Sequence, residues 1–137
     1  MNIALTQSQL RIAPLFDSAK TLVIYETKGY GEELHYIGTF SSEKGGEETI
    51  ETLLTMDVKV LICGAISSEF EQLLLLHHID LYSYIAGEVS DVVEGWHTRR
   101  LHSRYFSMPG CSEPRHCSHR GQRNRRGCRE RARRRDI

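Results

Sequence analysis

Several features that identify common classes of protein are missing from this sequence of 137 residues. No stretch approaches the about 20 apolar residues that a membrane-spanning helix needs, so we expect no membrane partner. The first residues include no positively charged segment followed by a long apolar one, which indicates no secretory signal and predicts a cytoplasmic location. The motifs G-x-S-x-G, G-x-x-x-x-G-K-[ST], H-E-x-x-H and G-x-G-x-x-G are all absent. We therefore expect that this protein is not an enzyme.

Cysteine is also scarce, with four residues in the chain. In the absence of a secretory signal, we expect these cysteines to be reduced thiols or metal ligands rather than a framework of disulfides. Cys63 ends an apolar run over residues 58–63 and is predicted to be a small buried side chain. The other three cysteines lie together near the carboxyl terminus.

The formal net charge of zero conceals two oppositely charged parts. Residues 1–106 contain eight Lys and Arg against fifteen Asp and Glu, together with strongly patterned apolar segments. Residues 107–137 contain ten Arg, three acidic residues and almost nothing apolar with which to build a core. The sequence thus predicts a folded acidic domain over residues 1–106 and a flexible, disordered basic tail, rich in Arg, Cys and His, over residues 107–137.

Hydrophobic patterning in the first part predicts five strands and three helices. The strands are expected at residues 2–5, 21–27, 34–40, 58–63 and 80–85, and the helices at residues 47–56, 67–78 and 88–101. Residues 12–20 are predicted to form a loop or a single helical turn. The apolar spacing predicts that Ile50, Leu53 and Leu54 of the first helix point inward, as do Phe70, Leu73 and Leu74 of the second.

The order of these elements indicates the fold class. Strands separated by helices of about ten to twelve residues form parallel pairs joined by right-handed crossovers. The strands at residues 21–27 and 34–40 are close enough in sequence to form an antiparallel hairpin. The sequence therefore predicts an α/β three-layer domain, in which helices pack on a mixed sheet of about five strands.

Four segments of the chain resemble the dinitrogenase iron–molybdenum cofactor biosynthesis family, which includes NifX-like, NafY-like and NifB carboxyl-terminal domains. The segments are NIAL at residues 2–5, RIAPLFDSAKTLVIYE at residues 11–26, VKVLICGAISSEFEQLL at residues 58–74 and IDLYSYIAGEVSDVVEGW at residues 79–96. The resemblance covers roughly residues 1–105 and extends into FSMPGC at residues 106–111. It implies a ribonuclease-H-like fold and a role in holding an iron–sulfur or molybdenum-containing cofactor precursor.

The turn after the fourth predicted strand is the main candidate for a binding site. Gly64 follows a buried strand and Ser67 or Ser68 can cap the next helix, whose exposed N–H groups attract anions. The resemblance implies a cofactor cleft here, with the candidate cofactor-binding residues Asp17, Cys63, Gly64, Ala65 and Ser67. Two alternatives stay open, because Asp17 can simply cap the short turn that follows it and Cys63 can simply belong to the core.

The basic tail carries a second group of candidate ligands. Cys111, His116, Cys117, His119 and Cys128 form the pattern C-x4-H-C-x-H-x8-C. These donors suit zinc or an iron–sulfur fragment, and Cys111, Cys117 and His119 are the predicted metal ligands. The spacing matches no common zinc finger, so the donors can also be incidental. The Arg residues around them can instead bind nucleic acid without sequence specificity.

Two functions remain open from the sequence. The first is a binding or carrier protein for an iron–sulfur or molybdenum–iron–sulfur cluster, whose partners are cofactor-assembly or acceptor proteins. The alternative is a non-enzymatic adaptor whose Arg-rich tail binds nucleic acid or an acidic protein partner.

Overall fold

The computed structural model describes residues 1–28, 32–41, 43, 45–101, 106, 108 and 114–117. The strands are β1 (Asn2–Ser8), β2 (Arg11–Ile12), β3 (Thr21–Glu26), β4 (His35–Ser41), β5 (Val58–Ile62), β6 (Asp80–Ser83) and β7 (Arg115–Cys117). The helices are α1 (Gly46–Thr55), α2 (Ser68–Leu76) and α3 (Val89–His97), with a short 3₁₀ helix at Phe16–Ser18. Among the helices of this described part, none has the length and hydrophobicity that crossing a membrane requires.

The strands form one mixed sheet in the order β4-β3-β1-β5-β6-β7, with β2 paired to the end of β1. The three central strands are parallel, with Leu5 opposite Ile62 and Ile62 opposite Tyr82. The pairs β1–β3, β3–β4 and β6–β7 are antiparallel. The parallel centre and the β3–β4 hairpin confirm the predicted mixed α/β architecture, whereas the ribonuclease-H-like topology remains a prediction.

Helices cover both faces of this sheet, which explains why β1 and β5 bury apolar side chains on both of their faces. On one face, α1 and α2 contribute Leu53 and Leu74 to a core that also contains Leu61 of β5. On the other face, Trp96 of α3 packs in a core with Ile62 of β5. The domain therefore has the three predicted layers.

The buried faces of α1 and α2 differ in part from those predicted. Leu53 is buried as expected, but its neighbour Leu54 is 43% exposed. On α2, Leu74 and Leu75 are fully buried while Leu73 is 41% exposed. The predictions for Leu54 and Leu73 were wrong because a run of consecutive leucines satisfies the helical spacing in more than one phase, and only the packing selects one.

Two strands were not predicted. Residues 11–12 pair with the end of β1 in a tight hairpin, where the sequence suggested a loop. Residues 115–117, predicted to belong to a flexible tail, instead form β7, with Cys117 fully buried at the edge of the sheet. A three-residue strand gives too short a pattern to be detected in a segment dominated by Arg.

A candidate binding site at the carboxyl edge of the sheet

The parallel strands β1, β5 and β6 end at one edge of the sheet, the place where open α/β sheets usually bind ligands. Four connections meet there: residues 9–10, 13–18, 63–67 and 84–88. Backbone hydrogen bonds join them, including Tyr84 N–H to the Gly64 carbonyl and Ile12 N–H to the Gly87 carbonyl, both at 2.9 Å. We call this surface the carboxyl edge.

Residues 13–17 lie directly against the turn after β5. The Phe16 N–H donates to the Ala65 carbonyl at 2.8 Å, and the Ala65 N–H donates to the Pro14 carbonyl at 2.9 Å. A side chain at Gly64 would place its Cβ 2.5 Å from the carbonyl oxygens of Ala13 and Pro14. Glycine is therefore required at position 64 because two backbone segments approach each other closely.

Asp17 lies at the start of α2, although it is far from α2 in sequence. Its Oδ1 accepts a hydrogen bond from the Ser67 N–H at 3.1 Å, while the Ser67 side chain makes no capping bond. A carboxylate at this position satisfies an otherwise unpaired N–H group and interacts favourably with the helix dipole. Of the two predicted roles of Asp17, the structure shows capping, but of α2 rather than of its own turn.

The amino terminus of α1 lies beside the same loop. Gly45, the residue before α1, has a positive φ of 81°, and a Cβ there would lie 2.7 Å from the Asp17 carbonyl oxygen. Phe70 of α2 makes an edge-on contact with Phe16, at 5.6 Å between ring centroids. The loop at Asp17 is thus flanked by the positive ends of two helix dipoles.

Several of the amides predicted to hold an anion already have partners within the protein. The Cys63 N–H donates to the Tyr82 carbonyl at 2.9 Å. The Ala65 N–H is bonded to Pro14 and the Ser67 N–H to Asp17, as described above. An anion that bonds to the Ser67 N–H therefore has to replace the Asp17 carboxylate.

Cys63 is fully buried in the core between the sheet and the first two helices. Burial raises the pKa of its thiol strongly, and the nearby carboxylates of Glu71 and Asp17 raise the pKa further. The thiol is therefore protonated, and in this conformation it is not a thiolate ligand. Cys63 lies close to Asp17, Gly64, Ala65 and Ser67 in the structure. Its side chain, however, is buried beneath the surface that they form.

Two buried hydroxyl groups beside Cys63 were missed in the sequence. Thr6 on β1 and Ser83 on β6 are fully buried, and among the described residues their oxygens have no hydrogen-bond partner. The register of the parallel strands carries Thr6, Cys63 and Ser83 into one row, which we call the buried polar row. In the sequence, each of these residues is only a polar residue near the end of an apolar strand. Their proximity to Cys63 becomes visible only when the pairing of the strands is known.

The carboxyl edge also contains an unusual backbone conformation at Tyr84. This residue has a φ of 60°, which bulky side chains rarely adopt, and its N–H bonds to Gly64. Strained residues of this kind concentrate at functional sites. Tyr84 was expected inside the regular strand at residues 80–85, because no local pattern predicts a positive φ at tyrosine.

The predicted metal ligands of the tail are only partly described. Cys111 and His119 lie outside the described residues. Cys117 is buried in β7 and its sulfur is in a disulfide, so the expectation of a reduced thiol was wrong for this residue. Within the part of the chain that the structure describes, no three His, Cys, Asp or Glu side chains are arranged to hold a metal ion.

A concave surface lies at the start of α1. This groove of about 620 Å³ is lined by Ser41, Glu43, Glu47, Glu48 and Glu51. Four carboxylates repel an anion, so the groove does not suit a sulfide-rich cluster. The carboxyl edge is the better candidate for such a ligand.

Comparisons with known proteins agree with the fold. The family model described as "Dinitrogenase iron-molybdenum cofactor" matches residues 1–99, a range that includes the whole carboxyl edge. No curated protein matches the chain.

Solved structures extend the comparison. The crystal structure of PH0822 has a TM-score of 0.65 at 12% identity, covering 73% of this chain and 93% of that one. A dinitrogenase candidate, MJ0327 from Methanocaldococcus jannaschii, has a TM-score of 0.57 at 17% identity, covering 73% and 90%. A candidate NifB protein from Thermotoga, TM1290, has a TM-score of 0.52 at 17% identity, covering 72% and 89%. At these identities the likeness concerns the fold alone.

Proposed function

Because this chain belongs to the dinitrogenase iron–molybdenum cofactor family, we propose that it binds and carries an iron–sulfur or molybdenum–iron–sulfur cofactor precursor. The family match over residues 1–99 is the observation on which the proposal rests. Carriage requires only binding and release, so no covalent chemistry is assigned to the protein. Its partners in this proposal are the cytoplasmic proteins that assemble the cluster and those that accept it.

The proposed binding surface is the carboxyl edge around Asp17, Gly64, Ala65 and Ser67. Two helix amino termini flank this surface, and their dipoles favour a negatively charged ligand, although Glu47 and Glu48 in the first turn of α1 oppose this effect on one side. Because Asp17 occupies the Ser67 N–H in the absence of cargo, binding proceeds by exchange of the carboxylate for the cluster. Cys63 and the two hydroxyls of the buried polar row lie beneath the turn and are reached only if the turn opens.

The tail is the proposed second contact with the cargo. Cys111, Cys117 and His119 would serve as exchangeable ligands, and Cys117 can do so only after its disulfide is reduced. The alternative role as a nucleic-acid adaptor has no supporting observation, since residues 118–137 lie outside the described part.

Anaerobic reconstitution tests the function itself. The full-length protein would be incubated with iron, sulfide and molybdate without oxygen, separated from small molecules and analysed for metals and visible absorption. We expect retained iron with charge-transfer bands between the sulfur and the metal. Colourless, metal-free protein after this treatment would contradict the carrier role.

Substitution of Asp17 tests the position of the site. Asp17→Ala removes the competing carboxylate, so we expect cluster affinity to rise by roughly fivefold, the equivalent of one net hydrogen bond. The matched control is Asp91→Ala, which removes the same charge from an exposed position at the start of α3. Titration of each apoprotein with preformed cluster, followed by absorption, gives the affinities.

A second variant tests whether the Ser67 N–H is the group released. Ser67 has a φ of −70°, which proline adopts, so Asp17→Ala combined with Ser67→Pro removes the N–H without changing this torsion. We expect the gain in affinity to disappear in the double variant. Equal affinities for wild type, Asp17→Ala and Asp91→Ala would place the cluster elsewhere, even if the protein binds it.

A further inference from the structure

The buried polar row of Thr6, Cys63 and Ser83 lies beneath the turn after β5. Each of these residues is one step beyond a registered pair of the parallel strands, so the three side chains stand side by side on the face that α1 and α2 cover. Neighbouring strands are about 4.8 Å apart. One hydroxyl group therefore flanks the sulfur of Cys63 on either side.

Neither hydroxyl has a hydrogen-bond partner within the part of the chain that the structure describes, although both side chains are fully buried. A buried hydroxyl without a partner destabilises the folded protein, whereas an apolar side chain of the same shape would not. Buried polar groups of this kind are rare, and a bound ion or water is a common reason for them. The two oxygens therefore indicate a ligand beside the sulfur.

The charges around the sulfur determine which ligand fits. Besides burial itself, the carboxylates of Glu71 and Asp17 disfavour negative charge on the Cys63 sulfur, and Glu71 is only 7% exposed. The same negative potential opposes an anion beside the row. It favours a sulfur that holds either its proton or a cation in the place of the proton.

A monovalent soft metal ion meets these conditions. Sulfur ligands select soft ions such as copper(I). Exchange of a proton for a monovalent ion leaves the charge of the buried site unchanged, so it adds no uncompensated charge to the core. Among the described residues, no three His, Cys, Asp or Glu side chains converge, so an ion that needs several such ligands does not fit. Copper(I) and silver(I) accept fewer ligands.

We propose that Cys63 binds a monovalent soft metal ion, copper(I) or silver(I), and that the hydroxyls of Thr6 and Ser83 donate hydrogen bonds to the metal-bound sulfur. In the binding step the S–H bond breaks, a sulfur–metal bond forms and the proton passes to water, without any change of oxidation state. Groups around a metal ligand usually hold it in this way. The ion reaches the row through local opening of residues 64–67. The site is independent of the proposed cargo, because it takes a cation rather than an anionic cluster.

Thermal unfolding of the full-length protein with silver(I), an air-stable substitute for copper(I), tests the site. A thiol that is merely buried binds silver better once the protein unfolds, so silver would then lower the unfolding temperature. A formed site binds silver more tightly in the folded protein, and a tenfold preference should raise the unfolding temperature by about 5 °C. Cys63→Ala measures the contribution of the other cysteines, and we expect it to lose this rise.

Variants of the two hydroxyls test the rest of the row. Thr6→Val and Ser83→Ala should each raise the unfolding temperature without silver, because each removes an unpartnered buried hydroxyl. Each should also weaken silver binding by about tenfold or more and so reduce the rise that silver causes. Thr49→Val is the matched control, since Thr49 is 3% exposed but its hydroxyl already donates to the Gly45 carbonyl at 3.0 Å. This variant should be less stable and keep the full rise.

Three results would overturn the proposal. The first is a lower unfolding temperature of the wild type with silver, and the second is an equal rise in the wild type and Cys63→Ala. The third is an unchanged rise in both hydroxyl variants, which would mean that the hydroxyls hold only buried water.

Discussion

At the scale of single residues, the carboxyl edge depends on backbone fit as much as on charge. Gly64 lies between the turn after β5 and residues 13–14, so its missing side chain allows the two segments to exchange hydrogen bonds. The sequence indicated a turn at this glycine. It did not indicate which segment lies opposite, because that contact joins residues about fifty positions apart.

Gly64→Ala tests this close approach. The added methyl group would collide with two carbonyl oxygens that belong to backbone and cannot rotate away, so we expect the free energy of unfolding to fall by about 1–3 kcal/mol. Gly38→Ala is the matched control, because a Cβ there finds ordinary contacts at 3.5 Å with Phe40. Urea denaturation of both variants gives the comparison, and equal losses would show that the approach is not strained.

Asp17 shows the limit of inferring a residue's role from its neighbours in the sequence. We expected it to cap the short turn that follows it, but its carboxylate bonds to the start of α2, fifty residues later. The Thr6 and Ser83 hydroxyls show the same limit, since each is unremarkable in its own strand and becomes a pair only through the register with β5.

At the scale of elements, most boundaries could be predicted because strands and helices differ clearly in hydrophobic period. The parallel order followed from the alternation of strands and helices. The rotation of each helix about its own axis could not be predicted in this way. In α2 the leucines at positions 73–76 offer two equivalent apolar stripes, and contact with β6 and β7 decides that Leu74 and Leu75 face inward.

The adjacent leucines of α1 provide a test of helix orientation. Leu53 is fully buried and Leu54 is 43% exposed. We expect Leu53→Ala to lower the free energy of unfolding by about 2–5 kcal/mol, because it leaves a cavity in the core. Leu54→Ala removes the same atoms and should cost less than about 1 kcal/mol. Thermal or urea denaturation distinguishes them, and similar losses would mean that α1 is rotated about its axis.

At the scale of the whole molecule, the sheet crosses the boundary between the acidic and basic parts of the sequence. Composition placed that boundary near residue 106, yet β7 extends the sheet with residues of the basic part. The composition of a segment indicates whether that segment can form a hydrophobic core by itself. It does not indicate whether three of its residues can pair with the edge strand of a sheet formed by the rest of the chain.

The stacking of His116 on Tyr82 makes this attachment sensitive to pH. Loss of solvent lowers the pKa of His116 below its ordinary 6.5, and the nearby Asp80 only partly opposes this effect. A lowered pKa means that the released segment binds protons more readily than the docked one. Docking of β7 is therefore favoured above pH 6.5 and weakens as the pH falls below that value.

Nuclear magnetic resonance titration of the histidine rings checks this prediction. In the folded protein the pKa of His116 should lie below 6.5, and in the protein unfolded by urea it should return towards 6.5. His116→Gln identifies the resonance and should reduce the change with pH in the protection of β6 amides, measured relative to the exchange rate of an unfolded peptide at each pH. A His116 that titrates at or above 6.5 in the folded protein would contradict the stacked arrangement.

The hydrogen bond between Asp17 and Ser67 means that the empty protein already holds a substitute for the charge it is proposed to receive. In the proposed role, uptake would exchange one negative group for another at the Ser67 N–H, and delivery would restore the original bond. The amino terminus of α2 would then face a negative group both before and after delivery. Release of the cluster would therefore leave no unpaired N–H group at Ser67.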